Sequence, residues 1–263
     1  MRENPVKRTL ASGGVSLGTM VFEFNTTGVA RIAGVAGAEF AIFDQEHTGW
    51  SVESIRMLVA TSGAAGLVPM VRVPGIQYHL IAPTLDVGVQ GVMVPLVESV
   101  EQARTIVASA KYPPVGRRGA AFGVAHDDYD NADFLGTITK SNEELLVIAQ
   151  IETAAGVEQV DEIAKIAGVD VLWVGHFDLT NSMGIPGQFD NPKYADAIKR
   201  VVDACDRNGI AAGFMPTTPD MAVDYIERGF RAIAYSGDLW LYQNALRSGL
   251  KEIRERTGSA AHR

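Results

Sequence analysis

Residues 40–62, FAIFDQEHTGWSVESIRMLVATS, hold one complete strand-and-helix unit and decide the fold class. Residues 40–44 form a short apolar run, which is typical of a parallel strand that is buried on both faces. Residues 52–62 place apolar side chains at the spacing that one face of a helix requires. A polar turn joins the two segments. The stretch therefore predicts a strand, a loop and a helix in that order.

The same unit recurs along the chain of 263 residues. Apolar runs predict eight strands, at Ser16–Phe22, Phe40–Asp44, Val68–Val73, Gly91–Pro95, Leu145–Glu152, Val169–Gly175, Ile210–Phe214 and Phe230–Tyr235. Helical spacing between them predicts helices, among them Val52–Ser62, Val100–Ala110, Ala154–Ala167, Tyr194–Asn208, Pro219–Arg228 and Leu239–Arg254. Eight such units predict an α/β fold with a closed (β/α)8 TIM barrel, as one domain over residues 1–263. An open doubly wound sheet is the alternative, but no G-x-G-x-x-G motif follows the first strand.

Charge and cysteine content limit the partners and the compartment. The net charge of −8 repels phosphate backbones and anionic lipids, so we expect neither nucleic acid nor membrane as a partner. Cys205 is the only cysteine, which excludes an internal disulfide and fits a reducing compartment. The charged start, without a following apolar run, predicts no signal peptide and a cytoplasmic location. We expect about residues 1–8 and 257–263 to be flexible.

One connection is longer than a turn. Residues 112–142, between the fourth and fifth strands, include two adjacent prolines, two adjacent arginines and a run of acids. Long loops in compact domains tend to be functional lids or contacts. We therefore interpret this segment as a functional loop.

Polar side chains gather at the carboxyl ends of the predicted strands, where barrel enzymes hold their active sites. They are Asp44, Glu46 and His47 after strand two, Arg72 in strand three, Gln150 and Glu152 in strand five, and His176 and Asp178 after strand six. Each alone is an ordinary loop residue. Together they predict a binding site, because burying such groups around one opening costs free energy unless they bind something.

Glu152 and Asp178 are the best candidates for a metal site. Two carboxylates on neighbouring strand ends, without a nearby cysteine, suit Mg2+ or Mn2+. Arg72 can donate to an oxygen that gains negative charge, or can pair with Asp44 at the barrel mouth. His47 is the candidate acid/base, because the pKa of a free histidine lies near neutrality. A capping aspartate and a salt-bridged glutamate are the alternative interpretation of the metal pair.

An ordered set of short motifs resembles one known family over nearly the whole chain. The motifs are Phe43–His47 (FDQEH), Val71–Pro74 (VRVP), Leu85–Gly88 (LDVG), Tyr112–Pro114 (YPP) with Arg118–Gly119, Gln150–Thr153 (QIET) and Gly175–Leu179 (GHFDL). They resemble the HpcH/HpaI aldolases, the metal-dependent class II pyruvate aldolases of the 4-hydroxy-2-oxoheptanedioate and 2-dehydro-3-deoxyglucarate type. The resemblance implies a barrel of the phosphoenolpyruvate/pyruvate superfamily. It also implies a lyase that splits a 4-hydroxy-2-oxoacid into pyruvate, or a close 2-oxoacid such as hydroxypyruvate, and an aldehyde.

The resemblance also implies roles for single residues. Glu152 and Asp178 would ligate the divalent metal, Mg2+ or Mn2+, with Co2+ as a further candidate. Arg72 would stabilise the enolate oxygen. His47, oriented by Asp86, would be the acid/base.

Other expectations concern binding and assembly. The backbone around Gly175, His176 and Phe177 would receive the substrate carboxylate, as helix N-termini do for anions. The supporting residues would be Asp44, Glu46 and Gln150. The family further implies a homohexamer, a trimer of dimers, in which the C-terminal helix is exchanged between subunits and a neighbour's loop completes the site.

The chain departs from the family at one point, since His176 and Phe177 follow the strand-six glycine where the family commonly has proline. We expect the extra imidazole and ring to alter substrate specificity, and Phe122 of the long loop to narrow the aldehyde pocket. Breaking a carbon–carbon bond beside a ketone can also use a lysine Schiff base. No lysine ends a predicted strand, which favours the metal route.

Three alternatives remain at this stage. The first is a related barrel lyase that acts on a coenzyme A thioester. The second is an oxaloacetate decarboxylase, which would pass through the same enolate. The third is a non-catalytic binding subunit. The Glu46-His47 pair favours the aldolase, and no basic cluster suggests an adenine nucleotide site.

Overall fold

Eight parallel strands close into one barrel in sequence order, as predicted. The structure is a computed structural model that describes residues 2–130 and 132–258. The strands are β1 (Ser16–Val21), β2 (Phe40–Asp44), β3 (Val68–Arg72), β4 (Gly91–Val94), β5 (Leu146–Ile151), β6 (Val171–Val174), β7 (Ala211–Phe214) and β8 (Phe230–Gly237). Every strand pairs in parallel with both of its neighbours, and β8 pairs with β1. The open-sheet alternative is therefore wrong.

Helices surround the barrel. They are α1 (Pro5–Ala11), α2 (Val29–Val35), α3 (Val52–Val59), α4 (Tyr78–Asp86), α5 (Val100–Ala110), α6 (Phe134–Glu144), α7 (Ala154–Ile163), α8 (His176–Ser182), α9 (Pro192–Asn208), α10 (Pro219–Glu227) and α11 (Asp238–Thr257). The predicted bounds of α5 are confirmed, and the other predicted helices differ by a few residues at their ends. Helices α1, α2, α4, α6 and α8 were not among the predicted examples.

Apolar side chains form two separate layers, one on each face of the strands. Phe40, Ile42, Met70 and Trp173 fill the barrel interior, and a larger cluster lies between the strands and the helices. Burial on both faces explains why the strands read as continuous apolar runs rather than as alternating ones.

The N-terminal segment is a helix rather than the flexible stretch that we expected. Val6 and Leu10 of α1 are buried in the interior layer of the barrel. Asn4 begins the helix, and its side-chain amide donates to the carbonyl oxygens of Gln90 and Glu144, both at 3.0 Å. Helix α1 therefore closes the amino end of the barrel. Of the expected flexible tail, residues 257 and 258 end α11 and residues 259–263 lie outside the described residues.

The long connection lies at the amino end of the barrel, away from the carboxyl ends of the strands. It follows α5, and a helix that follows a parallel strand returns the chain to the end where the next strand begins. Its last third is helix α6, whose cap residue Asp133 accepts a hydrogen bond from the Gly136 backbone at 2.8 Å. The interpretation of residues 112–142 as one long loop is therefore wrong for residues 134–142.

Candidate active site

Four strands bring polar groups to the barrel mouth, the end formed by the carboxyl ends of the strands. Asp44 is the last residue of β2 and Arg72 the last of β3, and these two residues are register partners in adjacent strands. Glu152 follows β5 directly, and β6 leads through Gly175 to Asp178 in the first turn of α8. Parallel strands thus gather side chains that lie far apart in the sequence.

Arg72 is buried and held by two acids. Its Nε donates to Asp44 Oδ1 at 2.5 Å, and its Nη1 lies 3.2 Å from Glu46 Oε2. Asp44 also accepts the backbone N–H of His47 at 2.9 Å. The ion pair with Asp44, which the sequence left as an alternative, is thus present. It leaves Nη2 of Arg72 without a hydrogen-bond partner among the described residues, so this nitrogen can donate to a substrate oxygen.

Glu152 is only 2% exposed, and no cation of the described residues is among the groups that shift its pKa. Its Oε1 accepts the backbone N–H of Leu96 at 2.7 Å, and its Oε2 accepts a hydrogen bond from the Gln150 side chain. Burial, with a smaller contribution from the nearby carboxylates of Glu46 and Asp178, raises the pKa of Glu152 to about 7 although two hydrogen bonds oppose the shift. A buried carboxylate that faces other carboxylates is costly unless a cation joins it.

Asp178 lies in the first turn of α8 and belongs to the same acidic group. Its charge acts on both Glu152 and Glu46, and burial together with Asp44 and Asp178 raises the pKa of Glu46 despite the opposing charge of Arg72. The structure therefore places the two predicted metal ligands within electrostatic reach of each other at one opening.

The neighbourhood of Glu152 has two features that are compatible with a small, hard cation. A Cβ at Gly175 would overlap Glu152 Oε2, so only glycine leaves this carboxylate room. Gln150 Oε1 is buried and has no hydrogen-bond partner among the described residues. No three acidic, histidine or cysteine side chains within residues 2–130 and 132–258 cluster tightly enough to hold a metal alone. Two carboxylates with open positions beside them fit Mg2+ or Mn2+ that also binds substrate oxygens.

His47 stands in the loop after β2, with 59% of its side chain exposed. Its Nε2 lies 3.7 Å from Glu46 Oε2, and its backbone is fixed by Asp44. The imidazole thus lies beside Glu46, which also pairs with Arg72, and it is accessible to a substrate, as an acid/base must be.

Asp86 does not contact His47 in this chain. It is the last residue of α4 and so lies at the amino end of the barrel, where its Oδ1 accepts a hydrogen bond from Arg118 at 2.6 Å. The expectation that Asp86 orients His47 is wrong within one chain. The motif showed which residue type was present, but it did not show at which end of the barrel helix α4 stops.

Phe122 lies at the same amino end and cannot narrow the aldehyde pocket of its own barrel. Its ring packs against Tyr112 at 6.1 Å, His126 at 6.5 Å and Phe134 at 5.2 Å between centroids. Because the connection follows α5 and leads into β5, Phe122 lies at the end of the barrel opposite the mouth of this subunit.

His176 and Phe177 open helix α8 beside the acidic group. His176 is buried among the rings of Phe177, Phe189 and Phe214, at centroid distances of 4.5, 5.4 and 4.9 Å. Burial lowers the pKa of His176 to about 4, so its imidazole is neutral at pH 7 and acts as a packing ring. Phe177 is 56% exposed. Gly175 caps the helix without a side-chain hydrogen bond, which leaves the first backbone amides of α8 available.

Leu96 is a site residue that the sequence did not reveal. It follows β4 in a left-handed conformation, with φ of 55°, and its amide holds Glu152. A leucine rarely adopts this conformation, and such strain tends to occur at functional sites. No glycine or asparagine marks the position, so the sequence carried no signal for it.

No helix in the described ranges is both long enough and apolar enough to cross a membrane.

Comparisons with known proteins agree with the geometry. The family model described as HpcH/HpaI aldolase/citrate lyase matches residues 19–245. A 2-keto-3-deoxy-L-rhamnonate aldolase of Salmonella typhimurium is 30% identical over 258 residues, which cover 94% of this chain and 92% of the relative.

Solved structures of the same family share the fold over nearly their full length. An HpcH/HpaI aldolase from Desulfitobacterium hafniense DCB-2 is 33% identical, with a TM-score of 0.89 over 95% of this chain and 96% of that one. An aldolase/citrate lyase family protein from Burkholderia cenocepacia J2315 is 30% identical, with a TM-score of 0.90 over 95% and 99%. The chain therefore belongs to the HpcH/HpaI aldolase/citrate lyase family and is a carbon–carbon lyase.

Proposed function

We propose that this lyase is a divalent-metal-dependent aldolase that reversibly splits a 4-hydroxy-2-oxoacid into pyruvate, or hydroxypyruvate, and an aldehyde. The observation that carries the proposal is the buried Glu152, which shares the barrel mouth with Asp178 and with Glu46, the acid that pairs with Arg72. A divalent metal would balance the acids that Arg72 does not neutralise. The arginine offers a hydrogen-bond donor to an oxygen that becomes negatively charged.

Glu152 and Asp178 would hold the metal, with Mg2+ or Mn2+ as the natural occupant. When bound, it supplies Lewis-acid polarisation of the 2-oxo group and thereby lowers the barrier to breaking the neighbouring bond. Gln150 and the Leu96 amide each donate to one oxygen of Glu152 and so fix the direction of its carboxylate.

Arg72 would stabilise the charge that cleavage creates. The bond between C3 and C4 breaks, its electron pair moves to C3, and negative charge develops on the C2 oxygen. Asp44 and Glu46 hold Nε and Nη1, so Nη2 remains to donate to that oxygen. Preorganised donors of this kind commonly contribute several kcal/mol, about 3, to catalysis.

His47 would move the protons. In cleavage, the C4 hydroxyl loses its proton as the aldehyde forms, and C3 gains a proton to give pyruvate. An exposed imidazole beside Glu46 can take the first and return the second. We assign its orientation to Glu46 and Asp44, in place of Asp86.

The substrate carboxylate would bind at the first amides of α8, around Gly175, His176 and Phe177. These amides have no side-chain cap, and the helix N-terminus favours an anion. Because the Salmonella relative is named for 2-keto-3-deoxy-L-rhamnonate, we propose a deoxy sugar acid as the class of substrate to test first. The thioester lyase, the decarboxylase and the non-catalytic subunit gain no support from these aldolase relatives.

We further propose a homo-oligomer, a hexamer built as a trimer of dimers with exchanged α11 helices. Asp238 is the only buried residue of α11, and the helix exposes Trp240, Tyr242, Leu246, Leu250 and Ile253. The outward-facing Leu17 of β1 is 48% exposed, where a barrel helix would ordinarily cover the strand. In the proposed assembly a second copy would cover both surfaces, and analytical ultracentrifugation measures the assembly. A loop from a neighbouring copy would complete the mouth.

The proposed compartment is the cytoplasm.

A chelation experiment tests the proposed reaction. Pyruvate release from 2-keto-3-deoxy-L-rhamnonate and from a panel of 4-hydroxy-2-oxoacids is measured before EDTA, after EDTA and after Mn2+ or Mg2+ is added back. The expected result is loss and recovery of activity. Exchange of pyruvate methyl protons in D2O provides a second readout that needs no aldehyde. Full activity in excess chelator would overturn the proposal.

A further inference from the structure

Asp238 binds the loop that follows β1. It is the first residue of α11, and its carboxylate accepts the backbone N–H groups of Phe22 at 2.8 Å, Glu23 at 2.9 Å and Phe24 at 2.6 Å. A helix-capping side chain usually accepts one or two backbone N–H groups, so a carboxylate that accepts three from one loop attaches that loop strongly. The carboxylate therefore fixes the backbone of residues 22–24 at the barrel mouth.

The side chain of Phe22 is confined as a result. Its ring lies edge-on to Trp240 with 5.1 Å between centroids and a 66° angle between planes. A Cβ at Gly237 would come within 2.9 Å of both rings, so the backbone at this position packs directly against them. The first turn of α11 thus sets where the Phe22 ring stands.

The Phe22 ring in turn supports Arg72. The guanidinium carbon lies 5.8 Å from the ring centroid, within the range of a cation–π contact. Asp44 and Glu46 contact two nitrogens of the guanidinium, and the guanidinium carbon lies over the Phe22 ring as a third contact. Two contacts alone permit the guanidinium to tilt about the line that joins them, whereas a third contact limits that tilt.

We infer that Asp238 is a positioning residue, which holds residues 22–24 so that Phe22 keeps the Arg72 guanidinium aimed at the reacting oxygen. The inference rests on the proposed function of Arg72. Asp238 itself bonds backbone amides and acts only through Phe22. The same contact links activity to the seating of α11, because Asp238 and Trp240 belong to that helix.

Asp238→Asn is the sharpest variant, because it keeps the shape and removes the charge. An amide offers one acceptor oxygen and turns an N–H2 group toward backbone N–H donors, so at least one of the three bonds is lost. We expect the rate of pyruvate methyl exchange in D2O with Mn2+ to fall about tenfold, since small misplacements of a catalytic group have effects of that order or larger. Phe22→Leu should cause a similar loss, because it keeps apolar volume but removes the ring face.

A double-mutant cycle separates positioning from general destabilisation. If Asp238 acts through Phe22, Asp238→Asn should cost less than about twofold in the Phe22→Leu background, because the pathway is already broken. A merely structural role would give the same fold loss in both backgrounds, and that result would overturn the inference. Each variant is normalised to its Mn2+ binding stoichiometry, so that unfolded protein does not count.

Asp170→Asn is the matched control at the amino end of the barrel. Asp170 also accepts a backbone N–H, from Val147 at 2.8 Å, and pairs with Lys7 at 2.9 Å. The expected result is a lower thermal midpoint with exchange within about twofold of the wild type. Absence of metal-dependent exchange in the wild-type protein would instead refute the proposed function. Wild-type exchange with an unchanged Asp238→Asn variant would refute only the role of Asp238.

Discussion

The two ends of the barrel treat buried acids in opposite ways. At the amino end, Glu144 accepts hydrogen bonds from Arg8 and from the Asn4 backbone, both at 2.6 Å. Burial alone would raise the pKa of Glu144, but these partners lower it overall. At the mouth, burial and neighbouring acids raise the pKa of Glu152 to about 7. A glutamate with a cation partner stabilises the fold, whereas a buried glutamate grouped with other acids is typical of a binding or catalytic site.

Exchanging each glutamate for glutamine tests this contrast and should give the largest effect. We expect Glu152→Gln to lower aldol cleavage by about a thousandfold or more, because several kcal/mol of metal-dependent stabilisation is lost and each 1.4 kcal/mol is a factor of ten. Glu144→Gln should leave kcat unchanged. Steady-state pyruvate release with saturating Mn2+ measures both.

The order of the two variants should be reversed for stability: Glu152→Gln, the less active variant, should be the more stable one. Without metal, Glu152→Gln removes a desolvated carboxylate, so its unfolding midpoint in urea should be at least that of the wild type. Glu144→Gln weakens charged hydrogen bonds and should lose about 1–2 kcal/mol. A Glu144 variant that is inactive yet stable would contradict the division between the two ends.

His47→Ala sharpens the account of the mouth. The aldol rate should fall at least about a hundredfold, the low end for general acid/base catalysis, while Mn2+ affinity stays within about threefold. The separation arises because His47 reaches Glu46 but is not one of the proposed ligands. His79→Ala, on α4, serves as a matched control. An unchanged rate in His47→Ala would remove this residue from the mechanism.

Lys111 gives the smallest predicted effect and concerns the amino end. Burial, with the nearby Lys7, lowers the pKa of Lys111 to about 7 from 10.5, and its Nζ donates to the carbonyl oxygens of Asn142 and Leu145. The unfolded chain thus binds the proton more tightly, so this group should make stability rise between about pH 7 and 10.5.

Lys111→Met should flatten that rise without changing catalysis. Urea midpoints at several pH values between 7 and 10 measure the difference between the variant and the wild type. Identical pH profiles would show that the lysine is not buried as described.

The sequence predicted the barrel well because its signals are local. The Phe40–Asp44 strand and the Val100–Ala110 helix have the predicted bounds, because an apolar run or an amphipathic spacing is read directly from neighbouring residues. Helix α4 did not stand out, because Pro83 lies inside it. The N-terminal helix α1 was not predicted, because only Val6 and Leu10 are buried in it and the charged residues around them suggested an exposed segment.

The candidate site was predicted only in part, because position along the barrel axis is not a local property. The rule that active-site groups follow strands led to Arg72, Glu152 and Asp178, and the structure brings these three residues to one opening, where each interacts with Glu46. Within one chain, Asp86 and Phe122 do not reach the mouth, because Asp86 ends helix α4 and Phe122 follows helix α5. Noting whether a residue lies at the end of a strand or at the end of a helix would have placed both at the amino end of their own barrel.

The central claim is that Glu152 and Asp178 bind one divalent cation. Anomalous diffraction from crystals grown with Mn2+ tests it directly, because the scattering peak locates the metal without reference to activity. The account predicts one peak per chain between these two carboxylates, and its loss in Glu152→Gln crystals. A peak elsewhere, or none at saturating Mn2+, would contradict the account.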